Sequence, residues 1–243
     1  MAFALRLVLA YNTINNGINN NIQRFLASLK GLTPTVQSQI YYNIEAYKDF
    51  KALYVPWLNL LKNGVIPYVG GNYIVAGSTN LHYPPLFLYS LLPIYLIGGQ
   101  FGVAMLIALA DSLSAALVYL IAEMLSKNRK IAILAGFAYA FLPFALLYEG
   151  VSLLNIEPML FLVLLSLYLL HKNKLLSSAI MLALAVGMRQ EALFLLPIYA
   201  LKLSDNNRPS LVLPAIAFSA VLLIMSIPFL LSKHGVKRWL DFV

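Results

Sequence analysis

The chain has 243 residues, of which 61% are hydrophobic and only 11% are charged, and its mean hydropathy is +0.79. Because an ordinary soluble domain carries about 25% charged residues, this composition excludes a water-soluble globule and predicts an integral membrane protein that meets membrane lipid. The formal charge of +8 comes from basic residues in short loops, with no basic stripe among aromatic residues, so nucleic acid is excluded as a main partner.

The N-terminus carries the first apolar run. Residues 2–10 are apolar apart from Arg6. At 1.5 Å per residue this run is about 15 Å long, half of the roughly 30 Å of hydrocarbon in a bilayer. We therefore expect residues 1–10 to form a truncated first transmembrane helix.

Residues 11–100 are predicted to form a large first extracytoplasmic loop. They begin with an Asn-rich stretch and continue with tyrosine-rich segments whose apolar spacing is typical of amphipathic juxtamembrane helices, the last of which ends near Gly64. Further along, the apolar run 86–97 is closed by Gly98 and Gly99 and is too short to span a bilayer. We expect this run to be a re-entrant or interfacial helix.

Residues 101–231 are predicted to form a bundle of transmembrane helices, and residues 232–243 the start of a following loop. The stretch 175–203 allows two alternatives, because Arg189 and Glu191 lie at its centre. It is either one continuous span or a hairpin of two short helices that turns near Arg189, and the cost of charges at mid-bilayer favours the hairpin. The chain as a whole is predicted to be an all-α polytopic membrane protein with about seven transmembrane segments. The full-length apolar segments are 102–126, 131–148, 156–171 and 211–231.

The short loops indicate the orientation of these segments. Lys127, Arg129 and Lys130 mark their loop as cytoplasmic, whereas the loop 149–157 contains two glutamates and neither lysine nor arginine. The large first loop and the loop 149–157 are therefore expected to share the outer face of the membrane.

A small set of ionisable residues is predicted to meet at that outer face. A carboxylate can act as a general base, two carboxylates can hold a divalent cation, and an arginine can bind a phosphate through two hydrogen bonds. The sequence has no cysteine and no glycine-rich phosphate loop. The candidates for chemistry are therefore Asp49, His82, Glu149, Glu157, Arg189 and Glu191.

Several short motifs follow one another along nearly the whole chain. Arg6 lies in the first helix and Asp111 in the span that follows the Pro-Pro-Leu helix. The other motifs are Asp49-Phe50, Gly64-Val65-Ile66-Pro67-Tyr68, Tyr83-Pro84-Pro85-Leu86, and Met188-Arg189-Gln190-Glu191-Ala192 before Leu196-Pro197. In this order the motifs resemble those of the GT-C glycosyltransferases, polytopic enzymes that use sugars linked to polyprenyl phosphates.

The resemblance implies a role for each candidate residue. Asp49 would be the catalytic base that activates the acceptor hydroxyl. Arg189 and His82 would bind the donor phosphate, and Glu191 and Tyr83 would support them. An arginine in such a site stabilises the charge that develops as the sugar leaves the phosphate.

The resemblance also implies a second acidic loop, formed by Glu149 and Glu157. Some members of the family depend on a metal and others do not. The candidate cofactor is therefore Mg²⁺ or Mn²⁺, with Asp49, Glu149 and Glu157 as its candidate ligands.

The implied enzyme is a hexosyltransferase that transfers a sugar, with mannose the leading candidate, from a polyprenyl-phosphate donor to an acceptor with inversion. The acceptor would be a glycan, a protein or a lipid. The reaction would occur at the extracytoplasmic face of the plasma membrane, or of the endoplasmic reticulum in a eukaryote.

Two alternatives to the enzyme stay open. The chain could be a non-catalytic membrane subunit or fragment of such an enzyme, working with a partner subunit, or it could be a lipid or sugar transporter. If its charges are structural, Asp111 is expected to pair within the bundle, and Arg189 and Glu191 are expected to pair with each other.

Overall fold

The structure is a computed structural model, which describes residues 2–16, 50, 54–64, 84–142, 146, 156–204 and 212–230. Within these ranges the regular elements are all helical and no strand occurs, which confirms the predicted all-α class. The α-helices are α1 (Ala2–Asn16), α2 (Val55–Lys62), α3 (Pro85–Ser126), α4 (Arg129–Ala140), α5 (Ile156–His171), α6 (Leu175–Met188), α7 (Leu196–Ser204) and α8 (Val212–Leu230), with a 3-10 helix (Gln190–Leu195) between α6 and α7.

Helix α1 extends beyond the apolar run that predicted it. The sequence analysis ended the first helix at residue 10, whereas α1 continues to Asn16. Its last turns are polar, but their side chains bond to the helix itself: Thr13 donates to the Leu9 carbonyl at 2.9 Å and Asn15 to the Tyr11 carbonyl at 3.1 Å. Such bonds satisfy polar side chains where the apolar pattern has ended.

Helix α3 consists of two arms that meet at Gly99. The backbone of Gly99 is left-handed and non-helical, with φ 56° and ψ −146°, a conformation that glycine adopts without steric cost. The arms fold back on each other, since a Cβ atom on Gly102 would lie 2.7 Å from the Ile94 carbonyl oxygen, and Leu91 and Ile107 share one core. The predicted break after the run 86–97 is therefore confirmed.

The stretch 175–203 is also broken, at Arg189. This residue has an extended backbone, with φ −154° and ψ 131°, between α6 and the 3-10 helix. Helix α7 then returns along α6, because Tyr199 packs against Leu182 and its hydroxyl lies 2.6 Å from the Ser178 hydroxyl. Of the two predicted alternatives, the structure has the hairpin.

The helices pack closely where small residues face each other. A Cβ atom on Gly136 of α4 would lie 3.0 Å from the Tyr119 Cβ atom of α3. Phe50, Tyr54 and Trp57 pack in one buried core with Phe87, whose ring centroid is 4.9 Å from that of Tyr54. This aromatic core joins α2 to the first arm of α3.

The exterior carries many large apolar side chains. Phe194 is 84% exposed and Leu201 is 72% exposed, and comparable residues occur on α3, α4 and α8. In the described part of the chain, the segment Leu86–Ser126 is long and apolar enough to cross a membrane, while α5, α6 and most of α8 are shorter apolar helices. The count of about seven transmembrane segments stays a prediction.

The close contact at Gly102 predicts that alanine substitution affects stability differently at two glycines of α3, Gly102 and Gly98. Alanine normally stabilises a helix relative to glycine by about 1 kcal/mol. We expect Gly102→Ala to destabilise the protein by about 1–3 kcal/mol instead, because its methyl group would press on the Ile94 backbone. The unfolding temperature of the detergent-solubilised protein measures the effect.

Gly98→Ala is the matched control for this prediction, since no atom lies within 4 Å of its Cβ position. We expect it to leave the unfolding temperature unchanged or to raise it. Equal effects of the two substitutions would contradict the folded-back arrangement of the arms.

Candidate functional site

A buried ion pair joins α1 to the second arm of α3. The Arg6 Nε atom pairs with the Asp111 Oδ2 atom, and both side chains are completely buried. Arg6 also donates from Nη1 to the Ala2 carbonyl at 3.2 Å. Because a buried charge is tolerated only when it is paired, each residue requires the other. The expectation that Asp111 pairs within the bundle is confirmed.

Glu157 adds a second carboxylate to this region. It lies in the first turn of α5, its residue is 4% exposed, and it interacts electrostatically with Asp111, Arg189 and Arg6. Within the described residues, neither its Oε2 atom nor the Asp111 Oδ1 atom has a hydrogen-bond partner. We call Arg6, Asp111, Glu157 and Arg189 the charge cluster. It brings together α1, α3, α5 and the end of α6.

Arg189 forms the outer edge of the charge cluster, where it binds Glu191. Its Nη2 atom lies 2.6 Å from Glu191 Oε1, and its Nε atom donates to Oε2 at 3.3 Å. The Arg189 hydrogen bond holds the pKa of the Glu191 carboxyl below its usual value. The side chains are 19% and 47% exposed, respectively, so this pair contributes little to stability. The expected pairing of these two charges is confirmed.

Of the predicted site residues, the structure pairs Arg189 with Glu191, and Glu157 interacts electrostatically with Arg189. The remaining predicted residues lie outside the described residues. They are the candidate base Asp49, the candidate phosphate ligand His82, the supporting Tyr83, and Glu149 of the second acidic loop. The predicted meeting of the two outer loops therefore stays a prediction.

The candidate metal site stays a prediction, because Asp49 and Glu149 lie outside the described residues. Among the described residues, no group of three or more His, Asp or Glu side chains could hold a metal ion. Glu157 has Asp111 as its acidic neighbour, but two arginines interact with the same carboxylate. Positive charge beside a carboxylate opposes a divalent cation, so the four residues of the charge cluster do not form a metal site by themselves.

A cluster of buried hydroxyl groups joins α5, α6 and α7, and the sequence analysis missed it. The Ser178 hydroxyl donates to the Ser166 carbonyl at 2.7 Å, and the Ser166 hydroxyl donates to the Ser178 carbonyl at 2.9 Å. Both hydroxyls also contact the Tyr199 hydroxyl. The sequence feature that could have predicted this cluster is the presence of serines within apolar helices, since such residues let membrane helices approach closely.

A protein family matches most of the chain. It is described as GPI transamidase subunit PIG-U, and the match covers residues 18–239. No curated protein and no solved structure matches the chain.

This match contradicts the predicted enzyme. The prediction of a glycosyltransferase dependent on a lipid-phosphate sugar is wrong, because the matched family consists of subunits of a transamidase. A transamidase exchanges amide bonds and does not take a sugar from a lipid phosphate. The structure offers a physical reason for the error: Arg6, Asp111, Arg189 and Glu191 resemble catalytic motifs, but they form ion pairs with one another.

We expect loss of the buried ion pair to be costly. Arg6→Met leaves Asp111 buried without its ion-pair partner, which costs about 3–5 kcal/mol. Arg6→Met combined with Asp111→Leu removes both charges and should recover most of that loss. Denaturant unfolding of the solubilised protein measures both variants. Arg129→Met is the matched control at an exposed position, and an equal loss there would contradict the prediction.

The hydroxyl cluster allows a second prediction with a matched control substitution. Ser178→Ala removes a buried hydroxyl and its bonds to Ser166 and Tyr199, so we expect a loss of about 1–2 kcal/mol. The neighbouring Ser177 is exposed, and Ser177→Ala should change the unfolding temperature little. If both variants unfold at the wild-type temperature, the cluster does not stabilise the α6–α7 hairpin.

Proposed function

The chain belongs to the PIG-U family of GPI transamidase subunits, and from this membership we propose that it is a non-catalytic membrane subunit of a GPI transamidase complex. The observation that carries the proposal is the family match over residues 18–239. A subunit acts with other chains. Of the two predicted kinds of partner, the proposal therefore favours a partner subunit over a polyprenyl-phosphate sugar donor.

The chemistry of the chain supports a non-catalytic role. Transfer of an amide to a new amine requires a nucleophile activated by a neighbouring base. The whole sequence lacks cysteine, and the buried Ser166 and Ser178 bond to each other and to Tyr199. These hydroxyls hold helices together. Under this proposal, the nucleophile of the complex belongs to another subunit.

The surface of the chain supports a place in a membrane. Phe194 and Leu201 are mostly exposed, as are Ile97 at the bend of α3 and Leu134 on α4. Large apolar side chains exposed on several helices need cover by lipid or by other membrane helices. The proposed function favours the membrane of the endoplasmic reticulum over the plasma membrane.

The resemblance to GT-C glycosyltransferases fits the same proposal. A subunit can share the helical scaffold of such enzymes while its charged residues stabilise the packing of helices. In this chain Arg6 and Asp111 would stabilise the scaffold, because their ion pair holds α1 against α3. The non-catalytic alternative of the sequence analysis is therefore the function that we adopt.

Complementation and co-purification test the proposal together. In cells that lack this subunit, we expect the wild-type chain to restore GPI-anchored proteins at the cell surface and to co-purify with the other transamidase subunits. Asp49→Asn, which removes the candidate glycosyltransferase base, should restore both as well as the wild type does. Flow cytometry of an anchored reporter and immunoprecipitation measure the two effects.

Arg6→Met should lower both measurements, because it weakens the packing of α1 against the bundle. The proposal fails if the wild-type chain restores no anchoring and binds none of the other transamidase subunits. If Asp49→Asn binds those subunits normally but restores no anchoring, the chain takes part in the chemistry and its non-catalytic role is wrong.

A further inference from the structure

Two short turns between helices carry exposed cations. The turn from α3 to α4 consists of residues 127–128, and the turn from α5 to α6 consists of residues 172–174. Every residue from 126 to 130 and from 171 to 174 is exposed, and neither segment contains a carboxylate. We call these two segments the basic turns. Their five cations are Lys127, Arg129, Lys130, Lys172 and Lys174.

Local hydrogen bonds hold the basic turns in a fixed shape. The Asn128 side chain accepts a hydrogen bond from the Lys130 N–H at 2.9 Å, and the Asn128 N–H donates to the Ser126 hydroxyl at 3.2 Å. In the second turn, the Lys174 N–H donates to the Leu169 carbonyl at 2.9 Å. The cations therefore stay beside the ends of the helices.

The charges of the basic turns are not neutralised inside the protein. In the part of the chain that the structure describes, none of the five cations forms an ion pair. The nearest acidic residue along the chain, Glu123, accepts a hydrogen bond from the Tyr119 hydroxyl at 3.1 Å. Lys172 lies over the Tyr168 ring, 5.6 Å from its centroid, a contact that leaves its charge in place. The basic turns therefore present positive charge to a partner outside the bundle.

Exposed apolar side chains lie next to these cations. Leu125, which precedes the first basic turn, is 61% exposed, and Ile131, which follows it, is 51% exposed. Leu176 is exposed just after the second basic turn. Cations beside exposed apolar residues suit the boundary between lipid head groups and acyl chains, where lysine and arginine at helix ends place their charges. An acidic peptide would meet the charges but leave these apolar side chains uncovered.

We propose that the basic turns bind the phosphate groups of acidic lipids at the membrane surface. Lysines and arginines next to membrane helices attract acidic lipids, and the effect amounts to about fivefold for each cation. The Arg129 guanidinium can bind a phosphate through two hydrogen bonds, while the acyl chains of the same lipid pack on Leu125 and Ile131. The orientation predicted from the sequence assigns the first basic turn to the cytoplasmic face, and the lysines of the second favour the same face.

The experiment uses the full chain in phosphatidylcholine nanodiscs that contain a trace of photoreactive lipid. The photoreactive lipid is either phosphatidylglycerol, which has a net negative charge, or phosphatidylcholine, which has none. We expect phosphatidylglycerol to label the peptides of the basic turns about fivefold more strongly. Salt at about 1 M, where the Debye length is about 3 Å, should remove this preference. Mass spectrometry of the digested protein locates and quantifies the labelled peptides.

Variants test whether the cations act locally. Arg129→Gln combined with Lys130→Gln should lower the preference severalfold at the first basic turn and leave it unchanged at the second. Arg129→Lys combined with Lys130→Arg keeps both charges and should preserve the preference at both turns. Lys62→Gln is the matched control, since it removes an exposed cation of α2, and it should change neither turn.

Three results would overturn the proposal. The first is equal labelling of the wild-type basic turns by the two lipids, and the second is a preference that persists at about 1 M salt, because it would not rest on charge. The third is displacement of the lipid by millimolar glycerol phosphate, which would show a site for a free phosphate instead of a lipid surface.

The comparison of the two lipids on the wild-type chain needs no variant, so it remains decisive if a variant fails to fold. The inference goes beyond the proposed function and does not depend on it. Failure to co-purify with transamidase subunits would remove the proposed function and leave the labelling result standing.

Discussion

Arg6 and Asp111 are fully buried charges among apolar side chains, and neither could remain there without the other. Their ion pair places α1 against the second arm of α3. Glu157 of α5 interacts electrostatically with this ion pair and with Arg189 at the end of α6. The packing of the described helices near this point follows from the need to keep a few charges together inside an apolar protein.

Two breaks in the helices make this arrangement possible. Without the bend at Gly99, α3 would be a single rod of about 63 Å, roughly twice the thickness of the hydrocarbon core, and its two arms could not share a core. The break at Arg189 has a comparable effect, because it lets α7 return to α6 and takes the Arg189 guanidinium out of the helix. The break at Arg189 therefore lies within the charge cluster. The bend at Gly99 joins the two arms of α3, the second of which carries Asp111.

The same charges explain why the chain resembles an enzyme. Isolated arginines and carboxylates in apolar helices are features of catalytic membrane proteins, and here they are arranged in ion pairs that hold helices together. This use of charge agrees with the proposed role of a non-catalytic subunit. Glu157 is the exception, since one of its oxygens is left without a donor among the described residues.

The sequence by itself determined the helical class, the apolar character, the break at Gly98-Gly99 and the interruption near Arg189, because these depend on composition and on neighbouring residues. It also predicted that Glu157 and Arg189 belong to one site, and the two residues interact electrostatically. Only the tertiary structure decided which charge pairs with which, since Arg6 could have met Asp111 or Glu157, and the packing of α1 on α3 selects Asp111. The contacts among Ser166, Ser178 and Tyr199 likewise depend on the tertiary structure, because the three residues lie on different helices. Side chains far apart in sequence meet only where two helices pack together. The residue pattern along one helix does not specify where another helix packs against it.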